Sequence, residues 1–476
     1  DAGAAAWNKE LGKIQIKGGT PDQRTTFYTA MYRTMERMVN ISEYGRYRSA
    51  YDGKTHKAAN GFYVDDWSWD TYRALHPLRF IISPDRERDM LRSYISMYEQ
   101  SGWMPTFPQV YGDAKCMIGH HQAAIFADAW AKGIRSFSKS KAYAGLRKNA
   151  FKGTLLPWKE GPATELDNFY HENGYFPALA PGEKETIKAV HPYEKRQAVA
   201  VTLEHSYNDW CLGQLAEAWN YHEDAEILKK RAENYKNVFN SETGFMSPKK
   251  ADGSWVEPFD PKTSGGDGCR EYFAEVNSWN YTWSVQHDIP ALIELMGGEE
   301  AFIKKLDQLF TESLTGYAKW GTYKSQPDAT GLTGQFVMGN EPGFHVPYLY
   351  TLAGEPWKTQ KRVRQLMDTW FRNDVMGICG DEDGGGLSAW YVFSAMGFYP
   401  VTPGKAEYVI GSPLFEEIKI DLGKDKKFTI KAPFVSTQNK YVQSITLNGV
   451  EQESYILPHS AITEGGTLVL DMGSMK

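Results

Sequence analysis

Apolar residues recur at three- and four-residue intervals along most of this chain, and no other feature limits its fold so strongly. Phe27, Met31, Met35 and Met38 fall at helical spacing within residues 23–39, and Met90, Leu91, Tyr94, Met97 and Tyr98 do so after the turn Ser83-Pro84-Asp85. The same spacing predicts helices over 122–133, 199–220, 225–239, 285–296, 299–312, 347–353, 359–370 and 388–396, with Gly133, Gly297-Gly298 and Gly397 as stops. Many helices joined by loops rich in glycine and aromatic residues predict an α/α toroid, with the functional residues gathered on loops at one end. After about residue 400 the texture changes. Residues 408–410, 416–421, 427–431, 442–447 and 467–471 alternate or are β-branched, and Asn448-Gly449 signals a tight hairpin. The expected architecture is therefore mainly α: a helical body over 1–400, with a small β-rich segment over 401–476 packed on it.

Composition narrows the partners. The net charge is −6 and no long basic run appears, so nucleic acid and anionic membranes are poor partners. No stretch approaches the ~18 uninterrupted apolar residues of a membrane-spanning helix. Cys116, Cys211, Cys269 and Cys379 are scattered without the paired spacing of a zinc site or a disulfide scaffold, and Cys211 suits a small buried hydrophobe. His120-His121 and His205 match no zinc spacing and read as structural. The chain begins with Asp1 rather than Met, which suggests a processed or shortened piece.

Three acidic clusters stand among aromatic residues and glycines. Glu275 lies within Tyr272-Phe-Ala-Glu-Val-Asn-Ser-Trp279, Asn340-Glu341-Pro342 follows Gly339, and Asp381-Glu382-Asp383 precedes Gly384-Gly385-Gly386. Any one of them alone is what a solvated turn looks like. Together, in a chain with 15 Trp and 28 Tyr, they suit a sugar-cleaving site. Two carboxyl groups move the protons, an aromatic face takes the apolar side of the ring, and glycines let a hydroxylated ligand approach the backbone.

Longer blocks carry a family resemblance. Ser68-Trp-Asp-Thr-Tyr-Arg-Ala-Leu-His-Pro-Leu78, Asn208-Asp-Trp210, Glu275-Val-Asn-Ser-Trp-Asn-Tyr-Thr-Trp283, His287-Asp-Ile-Pro290, Gly339-Asn-Glu-Pro342, Gly354-Glu-Pro-Trp-Lys-Thr-Gln360, Ser388-Ala-Trp-Tyr-Val-Phe393 and Gly397-Phe-Tyr-Pro400 run through most of the helical part. In these blocks the chain resembles glycoside hydrolase family 92, the calcium-dependent exo-acting α-mannosidases. The resemblance implies an (α/α)6 toroid, mannose-containing glycans as substrate, Ca²⁺ as cofactor and an extracytoplasmic location. It also implies an N-terminal β-sandwich domain as a further partner, which this chain does not contain. By the same resemblance Glu275 is the general acid, and either Asp381 or Asp383, with Asp383 favoured, supplies the base of an inverting reaction. Asn340 and Glu341 fall in the motif associated with calcium, and oxygen donors of this kind suit a hard cation. Trp69, Asp70, Trp279, Asp209 and Trp210 are the candidate sugar binders, with Arg73 an alternative ion-pair partner for Asp70 one turn away. Members that cleave α-1,2 linkages resemble one another in a His-Glu pair where this chain has Met338-Gly339, which disfavours that linkage. Two rivals remain: another (α/α)6 enzyme such as a phosphorylase or lyase, and a silent glycan-binding protein in which Glu275 and the aspartate pair would not converge.

Overall fold

The computed structural model describes residues 2–265, 270–314 and 329–476, so Cys269 lies outside the described residues. Its helices form the (α/α)6 toroid, and burial separates them into two layers. Leu75–Ile82 and Gly386–Met396 are buried at every position, Gln122–Ala131 at nearly every one, and Ala198–Ala218 throughout its half from Ala198 to Asp209. Helices covered on all sides belong inside a ring. Pro84–Ser101, His222–Arg231, Glu299–Leu309 and Pro356–Trp370 each bury one stripe, such as Phe302, Leu306 and Leu309, and keep their charged residues toward solvent. That is the signature of an outer layer.

Local chemistry sets the ends. Thr20 and Gln23 form a reciprocal capping box ahead of Pro21–Arg33. Gly102 and Gly397 adopt left-handed backbone and close Pro84–Ser101 and Gly386–Met396. Some expectations shift. The pattern over 225–239 resolves into His222–Arg231 and a 3-10 turn, Asn234–Val238. The one over 285–296 starts only at Ile289, whose successor Pro290 occupies the first turn. Lys139–Lys152 and Glu165–Asn173 escaped prediction; the first buries Ala142, Tyr143, Gly145, Leu146, Asn149 and Ala150, where small and polar residues dilute the apolar stripe and weaken the periodic signal.

The β-rich segment is a six-stranded sheet, and it is not confined to residues after 400. Strand Ile14–Lys17 forms one edge by pairing antiparallel with Glu417–Gly423, Ile14 opposite Ile420. Lys426–Lys431 follows as a hairpin partner and then runs parallel to Gly466–Gly473. Tyr441–Leu447 and Val450–Gln452 make the expected hairpin, with φ of 52° at Asn448 and 82° at Gly449, as a two-residue turn of this kind requires. Ile14, Ile418, Ile430 and Leu470 share one continuous core with Leu75, Trp390 and Phe415, which fixes the sheet to the ring. A second core, through Met90, Phe126, Leu146, Leu212 and Leu228, fills the first half of the ring.

Candidate active site

Three separate loops deliver carboxylates to one place. Asp70 sits in the single-turn helix Ser68–Thr71, Glu341 opens the 3-10 turn Glu341–Gly343, and Asp383 opens the turn Asp383–Gly385 before the inner helix Gly386–Met396. One oxygen from each of these three lies within 4.8 Å of the others. Glu275 joins them from a fourth segment, its Oε2 accepting a 2.5 Å hydrogen bond from Asn340 Nδ2. Glycines make the approach possible. A Cβ at Gly339 would come within 2.7 Å of Gly380 Cα, and one at Gly380, where φ is 59°, would run into the Gly339 carbonyl. The loops of Glu341 and of Asp381–Asp383 thus cross backbone against backbone. Gly380→Ala is expected to force them apart and to cost at least a hundredfold in activity while the thermal midpoint falls by only a few degrees. Turnover beside a melting curve checks this, and an active Ala variant would show the crossing to be dispensable.

Electrostatics follow from the crowding. Burial, then the charges of Asp383 and Glu275, push the Asp70 carboxyl well above its ordinary value. Burial, then Asp383 and Asp70, do the same to Glu341. Asp383 is raised by burial and by Asp381 and Glu275. Glu275 is raised chiefly by burial, with Asp381 and Glu194 adding to this and the Asn340 hydrogen bond and Arg270 working against it. Arg270 is itself held by Glu194 at 2.9 Å and by the Ala274 carbonyl at 2.8 Å, directly beside the acid's backbone.

Such a cluster fits a calcium ion. Both oxygens of Glu341 and Oδ1 of Asn340 are buried without a protein partner. Orphaned oxygens beside two further carboxylates make an all-oxygen donor set, and a divalent charge would reverse the mutual repulsion that raises their pKa values. The residues that would hold it are Asp70, Glu341, Asp383 and Asn340. Asn340 then has a double role, its amide nitrogen on the acid and its oxygen toward the cation.

A buried polar network supports the Asp70 turn. Asp66 accepts from Ser68 Oγ at 2.9 Å, Thr71 Oγ1 at 2.8 Å and Tyr94 OH at 2.7 Å. His76 stands between Glu87 (2.8 Å) and Asp66 (3.4 Å), so both ring nitrogens face carboxylates. Burial alone would lower His76, but Glu87 and Asp66 outweigh it and hold it at about 9. Arg79, 3.6 Å from Glu87, adds a second cation. Two cations thus balance two carboxylates in a site closed to solvent.

The sequence-based sugar binders are distributed differently from expectation. Asp70 lies in the cluster, where it joins the carboxylates. Trp69 is 2% exposed, with the Arg73 guanidinium 5.3 Å from its ring, and Arg73 takes Glu204 (3.2 Å) as its ion-pair partner. Trp279 packs edge-on against Phe245 at 4.8 Å, with the Lys305 ammonium 5.1 Å from its ring. Neither tryptophan has the open face that stacking on a sugar needs. Asp209 forms a buried two-pronged pair with Arg231 at 2.7 and 3.0 Å, and Trp210 stacks on Tyr207; both stand apart from the cluster. Trp67 is the aromatic that sequence reasoning passed over. It is partly exposed, and a Cβ on Gly384, next to Asp383, would lie 3.4 Å from it. Arg37 covers its ring at 4.4 Å, and Phe107 stacks at 5.7 Å. The signal was present in the sequence, since Trp67 directly precedes the motif that carries Asp70.

Comparisons with known proteins bear on the family and the fold. An inverting mannosidase of family 92 from Bacteroides thetaiotaomicron VPI-5482 is similar at 36% identity and a TM-score of 0.86, over 100% of this chain and 62% of that one. An alpha-mannosidase of the same family and species, solved with mannoimidazole, is similar at 30% identity and a TM-score of 0.87, over 100% of this chain and 59% of that one. A curated relative from Arthroderma benhamiae, called an uncharacterized secreted glycosidase, is 25% identical over 98% of this chain and 56% of its own length. The chain thus spans about three-fifths of the relatives it matches. The catalytic domain of glycosyl hydrolase family 92 matches residues 1–474, and the chain belongs to that family.

Proposed function

We propose that this chain is the catalytic part of an exo-acting α-mannosidase that removes terminal mannose with inversion, using Ca²⁺. The observation that carries this reading is the convergence of Glu275 with Asp70, Glu341 and Asp383, in a family whose solved relatives include an inverting mannosidase. Convergence also argues against a silent glycan binder. Glu275, raised by its buried setting, keeps a proton for the departing oxygen. A carboxylate of the Asp381/Asp383 pair takes the proton of the attacking water on the opposite face. Asp383 is also a candidate ligand, and an aspartate held by a cation loses basicity, which now favours Asp381 as the base. Trp67, partly exposed beside Gly384 but covered by Arg37 and Phe107, offers the sugar an edge rather than a stacking face. When bound, calcium supplies positive charge and room for neutral hydroxyl oxygens such as the cis O2 and O3 of mannose. No glutamate side chain can project from position 339 against Gly380, which supports a linkage other than α-1,2. Among the described residues no helix is long and apolar enough to cross a membrane, and the named secreted relative supports an extracytoplasmic site of action.

The decisive experiment follows mannobiose hydrolysis by NMR. β-Mannose should appear first, and α-mannose first would overturn inversion. Chelation with EDTA should abolish turnover and added Ca²⁺ restore it. Asp381→Asn and Asp383→Asn should both be inactive at ordinary calcium, but only Asp383→Asn should also raise the Ca²⁺ needed for thermal stabilisation. Full activity in protein shown by metal analysis to be calcium-free would remove the cation from the mechanism.

A further inference from the structure

Two of the blocks that carry the family resemblance, Asn208-Asp-Trp210 and His287-Asp-Ile-Pro290, do not reach the carboxylate cluster. Trp210 of the first and His287 and Asp288 of the second instead line a cavity of about 510 Å³ on the outer side of Ala198–Ala218, where that helix faces His222–Arg231. None of the cluster residues lines it.

Its wall is a fixed aromatic surface. Trp210 is partly exposed, lies 6.0 Å from Tyr207 and 6.1 Å from His287 between ring centres, and abuts Gly404, where a Cβ would come within 2.8 Å of the indole. Beside the indole the lining continues through the largely buried His287 and through Asp288. His287 is 6% exposed, and its Nε2 donates to the Ala232 carbonyl at 3.0 Å. That bond leaves Nδ1 as a buried acceptor without a protein partner. Burial holds the ring neutral at pH 7, so the acceptor persists. Asp288 is oriented by a 2.8 Å hydrogen bond from Tyr235 OH to one oxygen. At the rim, Gln214 and Lys229 can donate, and Glu217, Glu226 and Glu233 can accept.

A partly exposed indole ringed by the carboxylates of Glu217, Glu226, Glu233 and Asp288 matches a ligand that has an apolar face and several hydroxyl donors. The carboxylates outnumber the one lysine of the lining, which disfavours phosphates and other anions. The only carboxylate group close enough to share one ion among the described residues is the active-site triad, so a metal is not the occupant. We propose that this cavity is a second, non-catalytic site for a neutral saccharide residue, holding a glycan at a distance from the cleavage centre. The proposed mannosidase activity supplies only the choice of probe.

The test measures binding of methyl α-mannoside, with methyl glucoside and methyl galactoside beside it, to the chain over residues 1–476 carrying Asp70→Asn and kept in EDTA, so that the catalytic site is disabled. Saturable binding should remain, with quenching of tryptophan fluorescence. Gln214→Trp, at an exposed rim position that leaves the core untouched, should weaken it at least tenfold, and Trp210→Leu should abolish it. No saturable binding of any of the three glycosides, or binding indifferent to Gln214→Trp, would overturn the proposal. Binding of glucoside or galactoside in preference to mannoside would uphold the site and leave the mannosidase reading to the mannobiose assay, so the two fail separately.

Discussion

Glu275→Gln is expected to slow mannobiose hydrolysis by about 10²–10⁴-fold, the usual worth of a positioned proton donor. The substitution keeps the shape of the site, because a glutamine oxygen can still accept from Asn340 Nδ2 as the Oε2 of Glu275 does. Only the transferable proton is removed. An aryl mannoside whose phenolate leaves without assistance should therefore lose far less, on the order of tenfold or below by the same dependence on leaving-group basicity. The ratio between the two substrates is the measurement. Equal losses would mean that Glu275 binds or orients the sugar and that the acid lies elsewhere. In Glu341→Gln, by contrast, both substrates should suffer alike, since a change among the clustered carboxylates disturbs the site whatever the leaving group.

Acid should unfold this protein over a defined window. His121, His205, His287, His345 and His459 are all buried, and burial holds each below its ordinary 6.5: His287 and His345 at about 4, His459 at about 3, His121 and His205 well down. The unfolded chain binds protons at these rings below pH 6.5 and the folded chain does not, so stability is present above 6.5 and is lost as pH falls toward 4. Each pKa unit is worth about 1.4 kcal/mol, and several rings held below their ordinary value together weigh heavily against the ~5–15 kcal/mol margin of a domain. His76 has the opposite sign: its contribution is complete below 6.5 and fades as pH rises toward 9. The raised carboxylates of the cluster also run the other way, and saturating Ca²⁺ should suppress them. Thermal midpoints taken in excess calcium should fall by about 10 °C or more between pH 7 and pH 4.5. A level midpoint across that window would mean that the rings are protonated in the fold at no cost.

Much of this was legible in the sequence, for physical reasons that also mark the limit. Helical spacing exposes an outer helix such as Glu299–Leu309, because one stripe is apolar and the rest is not. It serves less well for Lys139–Lys152, whose buried face mixes small and polar residues into the apolar stripe. The acids at 275, 341 and 383 were recognisable because carboxylates beside glycine and aromatic residues are rare outside turns and sites. What spacing cannot give is direction. Trp67 and Trp69 are near neighbours in the same acidic stretch, yet one reaches solvent beside Gly384 and the other is sealed under Arg73. Nor does sequence name the partner of an ion pair: Arg73 passes over Asp70 for Glu204, and Asp209 is claimed by Arg231. Asp70 was read as a sugar binder because the two carboxylates that surround it arrive from loops hundreds of residues downstream.

The edge strand Ile14–Lys17 has a consequence in time. Its partner Glu417–Gly423 is made about 400 residues later, which at ~5–20 residues per second means a wait of roughly 20–80 seconds on the ribosome. Ile14, wholly buried in the finished fold, spends that interval without its strand. Most helices of the ring can find a neighbour soon after they emerge, but Pro21–Arg33 packs on Gly386–Met396, and both that contact and the sheet wait for the end of the helical part. Ile14–Lys17 thus waits for a partner made far downstream, and a chaperone that shields this strand during synthesis should raise the yield of folded protein more than one that acts after release.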